Sequence, residues 1–188
     1  MTAIYARSTS EWAEKTRAEL FDAGIPCALV GAEYGNTHLI RRLPFVIPAP
    51  DCGDMNDRLL KDLPADGILT WSSEVPAIVA VREAYRRRIG TEPETLHRCG
   101  VRISGENIRF RGERIRLTAN EKRILFLFLT CPGLYFTAEE TAALCLRDAH
   151  GNAAAVHICN LNAKTIKAAN APLIECRRYK GYRIPAET

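Results

Sequence analysis

His157, Asn160, Lys164 and Lys167 recur at three- and four-residue steps, and they are the side chains of this 188-residue chain best spaced to bind a partner. On a helix they lie about a quarter turn or more from a second set at the same steps, Ala154, Ile158, Leu161, Thr165 and Ala168. The second set forms a mostly apolar stripe and the first a face of donors and positive charge. A helix that buries such a stripe and presents such a face is what a DNA major groove admits. The residues that follow predict a short strand (Leu173 to Cys176), a basic turn (Arg177, Arg178, Tyr179, Lys180, Gly181) and a return strand. Together they read as a recognition helix and a wing, with Tyr179 a contact at the turn tip and Tyr182 core at its base.

Other chemistry is thinly represented. In the first half His38, Asp51, Cys52 and Asp54 are the only local cluster of polar chemistry, and their spacing matches no nucleophile or metal pattern. The segment after the first predicted strand is ARSTS, with no glycine-rich phosphate loop. The seven cysteines are odd in number, scattered and free of CxxC spacing, which reads as reduced thiols in a cytoplasm, mostly small core residues, with Cys159 inert. No catalytic residue, phosphorylation site, metal or cofactor is therefore expected, and the chain reads as a non-enzyme. The opening MTAIYARSTSEWAEK lacks a signal-peptide core and no later segment reaches membrane-span length, so a cytoplasmic protein without membrane contact is expected.

Charge divides the chain. Residues 1–94 carry 11 Lys and Arg against 14 Asp and Glu, and residues 95–188 carry 15 against 8, giving −3 and +7 around a net +4. Either a basic nucleic-acid module follows a neutral or acidic one, or the cations simply solvate the second half; charge alone does not choose. The turn-rich GTEPE at 90–94 falls at the shift, so two domains are expected, 1–92 and 93–188.

In the first half, strands are expected at Ala3–Tyr5, Pro26–Val30, Leu43–Ile47 and Ile68–Trp71. Helices are expected from a capping box at Ser8 and Glu11, over Asp54–Leu63, and from Pro76 to about Arg88. That alternation predicts an α/β domain, a small parallel sheet with helices on both faces. The run Arg86–Arg88 reads as a solvated helix end, with a phosphate contact as the second reading.

The second half opens with short alternating segments (Thr95–Arg98, Val101–Ile103, Asn107–Phe110, Glu113–Leu117) separated by glycines, which predict an antiparallel sheet with one wet face. Arg102, Arg109, Arg111, Arg114 and Arg116 fall on that face or in its turns and read as solvation. Capping boxes at Thr118/Glu121 and Thr137/Glu140 open two helices, and the loop Arg147–Asn152 leads into the third. Sheet, three helices and hairpin make an α+β winged helix-turn-helix.

RIRLTANEKRILFLFL, TAEETAAL, VHICNLNAK and the closing GYRI resemble the DNA-binding domain of OmpR/PhoB-type response regulators, over residues 95–185 or so. The first half resembles a truncated, degenerate receiver domain by topology only. Receivers hold a cation with an acidic pair after the first strand, where this chain has Ala6, Arg7 and Ser8, and accept phosphate on an aspartate ending the third, where it has Pro48. With no cage to neutralise the charge of transfer, regulation independent of phosphorylation is expected. The resemblance implies a third helix in the major groove, a wing in the minor groove and a transcription regulator bound to double-stranded DNA. The first half reads as a surface for pairing with itself or a partner, so a homodimer through it is expected, and the resemblance makes RNA polymerase a candidate partner of the loop before the third helix. It places His157 at a backbone contact, Asn160 and Lys164 at the reading face with Lys167 beyond, and Arg178 in the wing beside Arg177, Tyr179 and Lys180. Asn162 belongs to the same expected DNA-binding face; it stands where the family commonly has arginine, which shifts weight to the wing. The competing expectation is a protein-interaction module, a winged helix that binds RNA polymerase or another regulator without reading DNA.

Overall fold

The computed structural model describes residues 2–52, 60, 63, 67–69, 76–89, 96–147 and 151–186. The chain forms two compact units, Met1–Gly90 and Thr91–Thr188.

Three strands, β1 (Thr2–Tyr5), β2 (Cys27–Val30) and β3 (Phe45–Pro48), pair in parallel in the order β2-β1-β3. Nearly every residue in them is buried, as in a sheet covered on both sides, and this is why they read as apolar runs rather than alternations. Ile68 adds a parallel bridge to Val46 on the free side of β3, and Leu69 N–H donates to the Val46 carbonyl at 2.8 Å. The rest of that expected strand lies outside the described residues.

Helix α1 (Glu11–Asp22) joins β1 to β2. Its cap is not the Ser8/Glu11 box expected from sequence. Ser10 holds the extended cap conformation and accepts from the Ala13 amide at 3.3 Å, while Glu11 is the first helical residue. Two serines stand two residues apart, and the sequence pattern favoured the one with a Glu three residues on. Helix α2 (Ala77–Ile89) follows Pro76 and buries Ala77, Val81 and Tyr85, one face at four-residue steps. Tyr85 meets Phe45 of β3 edge-on at 5.2 Å between ring centres. Helices α1 and α2 touch each other as well as the sheet, so they share one face of it. Arg86 and Arg87 both reach back to Glu83 at 2.7 and 3.1 Å on the exposed side. Of the helix expected over Asp54–Leu63, only buried Leu60 and half-buried Leu63 are among the described residues.

The second unit begins with an antiparallel sheet in sequential order, β4 (His97–Arg98), β5 (Val101–Ser104), β6 (Asn107–Phe110) and β7 (Glu113–Ile115). Val101, Ile108, Phe110 and Ile115 point into the core. On the wet face His97, Arg102, Arg109 and Arg114 stand directly opposite one another, strand to strand, all exposed. Three helices follow: α3 (Ala119–Thr130), α4 (Ala138–Cys145) and α5 (Gly151–Ala169). Both expected capping boxes are present. Thr118 accepts from Glu121 N–H at 3.3 Å while Glu121 accepts from Thr118 N–H at 2.7 Å, and Thr137 and Glu140 repeat the arrangement at 3.2 and 2.8 Å. Helix α3 is buried without a break from Ile124 to Thr130 and forms the centre of the unit. Helix α5 lies against α3, α4, β6 and β7, with Ala154, Ile158, Leu161 and Thr165 buried. The chain closes with the hairpin β8 (Glu175–Arg177) and β9 (Gly181–Arg183), and a bridge from Tyr182 to Phe136 ties that hairpin to the entry of α4.

Candidate nucleic-acid interface

Helix α5 and the β8–β9 hairpin are adjacent, and one side chain fastens them. Asn162 Oδ1 accepts from the Leu173 and Ile174 amides at 3.1 and 2.9 Å, and its Nδ2 donates to the Ile174 carbonyl at 2.8 Å. The amide thus stands in for a strand partner at the point where the chain turns into the wing. Asn162 was expected on the groove face; its hydrogen-bonding groups are instead spent on the wing's root.

Two more of the expected donors turn inward toward the start of α3. Lys164 Nζ donates to Glu121 Oε2 at 2.6 Å, and Glu121 is only 2% exposed. Burial pushes the Glu121 carboxyl up, but the bonds from Lys164 and from Thr118 outweigh it and hold it below the usual carboxylate range. One carboxylate therefore closes the cap of α3 and anchors a lysine of α5. His157 Nε2 meets Asn120 Nδ2 at 3.1 Å, and Asn120 Oδ1 accepts from the Arg123 guanidinium. With its oxygen so engaged Asn120 turns its Nδ2 toward the His157 ring. The side chains of His157 and Lys164 both remain half-buried along the seam between α5 and α3.

What α5 presents outward is different from the donor face expected. Val156 is 58% exposed and Ile166 47%, with Asn152, Cys159, Asn160, Ala163 and Lys167 exposed on the same side. Of the expected set, Asn160 and Lys167 belong to this face. Val156, Ala163 and Ile166 were not singled out, though they recur at the same three- and seven-residue intervals and the pattern was there to be read. No acidic residue occurs from Gly151 to Ala169.

The hairpin adds three exposed cations and an exposed aromatic ring. Arg177, Arg178, Tyr179 and Lys180 are exposed, Tyr179 to 90%. Lys180 N–H donates to the Arg177 carbonyl at 3.0 Å, closing a four-residue turn, and Tyr179 adopts φ 65° in it. Arg178 lies over the Tyr179 ring at 4.9 Å and Lys180 over Tyr135 at 5.9 Å. Gly181, with φ 100°, brings β9 so close to Phe136 that a Cβ there would overlap the Phe136 carbonyl. Phe136 and Tyr182 exchange amide bonds of 2.9 and 2.8 Å across this approach. Tyr182 is half-buried at the wing's base; burial, and then the Cys176 and Cys159 thiols, raise its phenol.

None of the seven cysteines forms a disulfide; Cys27, Cys52, Cys131 and Cys145 are buried, and burial pushes the Cys27 thiol up to about 12. Among the described residues no group of His, Cys, Asp and Glu could hold a metal, and no helix is long and apolar enough to cross a membrane.

A sheet, a three-helix core and a β-hairpin packed beside the third helix define a winged helix-turn-helix, and the unit before it is a small parallel α/β sheet. No protein-family model matches the chain, and neither does any curated protein. Among solved structures the chain is similar to response regulators. The DNA-binding domain of AdeR, in complex with an intercistronic region, is 21% identical and covers 50% of this chain and 100% of its own, with a TM-score of 0.44. The DNA-binding domain of CpxR from E. coli is 22% identical over 50% of this chain and 98% of its own, at 0.41. The response regulator DrrB of Thermotoga maritima, an OmpR/PhoB homologue, is 15% identical over 98% of this chain and 99% of its own, at 0.44.

Proposed function

We propose that this chain is a sequence-specific DNA-binding transcription regulator, with α5 in the major groove and the β8–β9 wing on the adjacent minor groove. One observation carries the reading: an acid-free, outward-facing third helix stands beside a hairpin tip that exposes Arg177, Arg178, Tyr179 and Lys180. Asn160 and Lys167 are the helix's polar contacts in this reading, the wing supplies the phosphate contacts, and Asn162 and Lys164 support the helix from behind. The N-terminal unit, without an acidic pair beyond β1 and with Pro48 ending β3, regulates by pairing with a second copy rather than by accepting phosphate.

Because each released counterion shows in the salt slope, the test is a duplex titration across salt concentrations. Arg178→Ala is expected to weaken binding several-fold and to flatten the slope by about one unit, the signature of one lost phosphate contact. An unchanged slope sinks the wing assignment. The exposure of Val156 and Ile166 on α5 favours the second reading, a helix face that docks on RNA polymerase or another regulator. Failure of the full chain to retain any duplex from a random library at low salt would decide for it.

A further inference from the structure

The outward face of α5 is chemically unlike a guanine-reading helix, and that difference specifies a ligand. Val156, Cys159, Asn160 and Ala163 span seven residue steps, or about 10 Å of helix axis, the rise of about three base pairs. Ile166 continues the same face one turn on. Guanine is read best by arginine or lysine, and the one exposed cation on this helix is Lys167, in its last turn. Cytosine offers an amino group that a carboxylate accepts, and α5 has no carboxylate. Apolar side chains held against a G·C edge strip water from its polar groups and return no bond. Against A·T pairs the same side chains meet the thymine C5-methyl, and an asparagine amide pairs bidentately with adenine. The wing, whose root Asn162 fastens to α5, exposes the cations Arg177, Arg178 and Lys180, which favour a polyanion over an apolar protein surface.

The geometry points to an A·T-rich half-site, in which Val156, Ala163 and Ile166 read thymine methyls and Asn160 reads an adenine. The inference rests on the duplex-binding reading above. It also accounts for a helix on which His157, Asn162 and Lys164 are drawn inward: discrimination comes from methyl contact and affinity from the wing.

The full chain is first used to select duplexes from a random library at low salt. The selected duplex is then titrated beside a copy carrying deoxyuridine for thymidine in the half-site, which keeps base pairing and removes the methyl. A·T-rich sites are expected, with affinity falling about fourfold for each contacted methyl removed. Val156→Ser and Ile166→Ser, at exposed positions that leave the core intact, are expected to bind more weakly and to lose sensitivity to deoxyuridine. G·C-rich selected sites, or equal affinity for the thymidine and deoxyuridine duplexes, overturn the inference while leaving DNA binding in place. Failure to retain any duplex overturns both.

Discussion

Replacing Asn162 separates a groove contact from a support. Three hydrogen bonds join its amide to the backbone of Leu173 and Ile174, all between 2.8 and 3.1 Å. Each is worth about 1 kcal/mol net, and Asn162→Ala leaves two amides and a carbonyl without their partner, so a loss of about 3 kcal/mol is expected from the second unit. Both tryptophans, Trp12 and Trp71, lie in the first half, so their fluorescence does not follow this unit. Hydrogen exchange read on peptides covering Leu173 and Ile174, together with urea unfolding followed by circular dichroism, does. If Asn162→Ala stays within about 0.5 kcal/mol of the parent and nevertheless abolishes duplex binding, the clip is refuted and Asn162 is a direct contact.

Glu121→Gln removes the charge that anchors Lys164 and weakens the α3 cap, with an expected cost of about 2 kcal/mol at pH 7. In the parent, a carboxyl held below its usual range stabilises the fold above its ordinary value of 4.5, and that contribution is lost as pH falls through the lower folded value. A urea series from pH 7 to pH 3 should therefore show a flatter profile for Glu121→Gln. Arg102 stands between His97 and Arg109 on the wet face of the sheet, so Arg102→Thr should raise stability by about 0.5 kcal/mol at low ionic strength. That gain should narrow at 1 M salt when unfolding midpoints are compared. Gly181→Ala drives a Cβ into the Phe136 carbonyl at a left-handed position, and a loss of about 2 kcal/mol or more is expected, read as faster exchange of the Phe136 and Tyr182 amides.

The elements were legible where their signals are local. Thr118 with Glu121 and Thr137 with Glu140 mark helix starts because each pair satisfies two amides within four residues, and tertiary packing need not intervene. The buried stripe Ala154, Ile158, Leu161 and Thr165 was equally readable from period alone. The candidate site was less so, because periodicity groups residues by angle without saying which neighbour waits at that angle. His157 and Lys164 share a side of α5, and that side happens to face Asn120 and Glu121, some forty residues earlier. Asn162 depends likewise on the path taken by Leu173 and Ile174. With these three drawn inward, Asn160 and Lys167 are what remains of the expected donors on α5, on a face shared with exposed Val156, Cys159, Ala163 and Ile166.

Tyr179 at the wing tip has a consequence for how this protein tolerates change. A bulky aromatic at φ 65° occupies a turn position that ordinarily takes Gly or Asn, at a cost of about 1–2 kcal/mol, and at 90% exposure it recovers almost none of that by burial. The hairpin is thus kept below its attainable stability in exchange for an aromatic ring in solvent with a guanidinium stacked on it. Substitution by Gly or Asn is the expected route to a tighter turn, and a chain under selection for robustness alone would take it. Tyr179 therefore marks a position where the stability of this hairpin can be raised without touching the core.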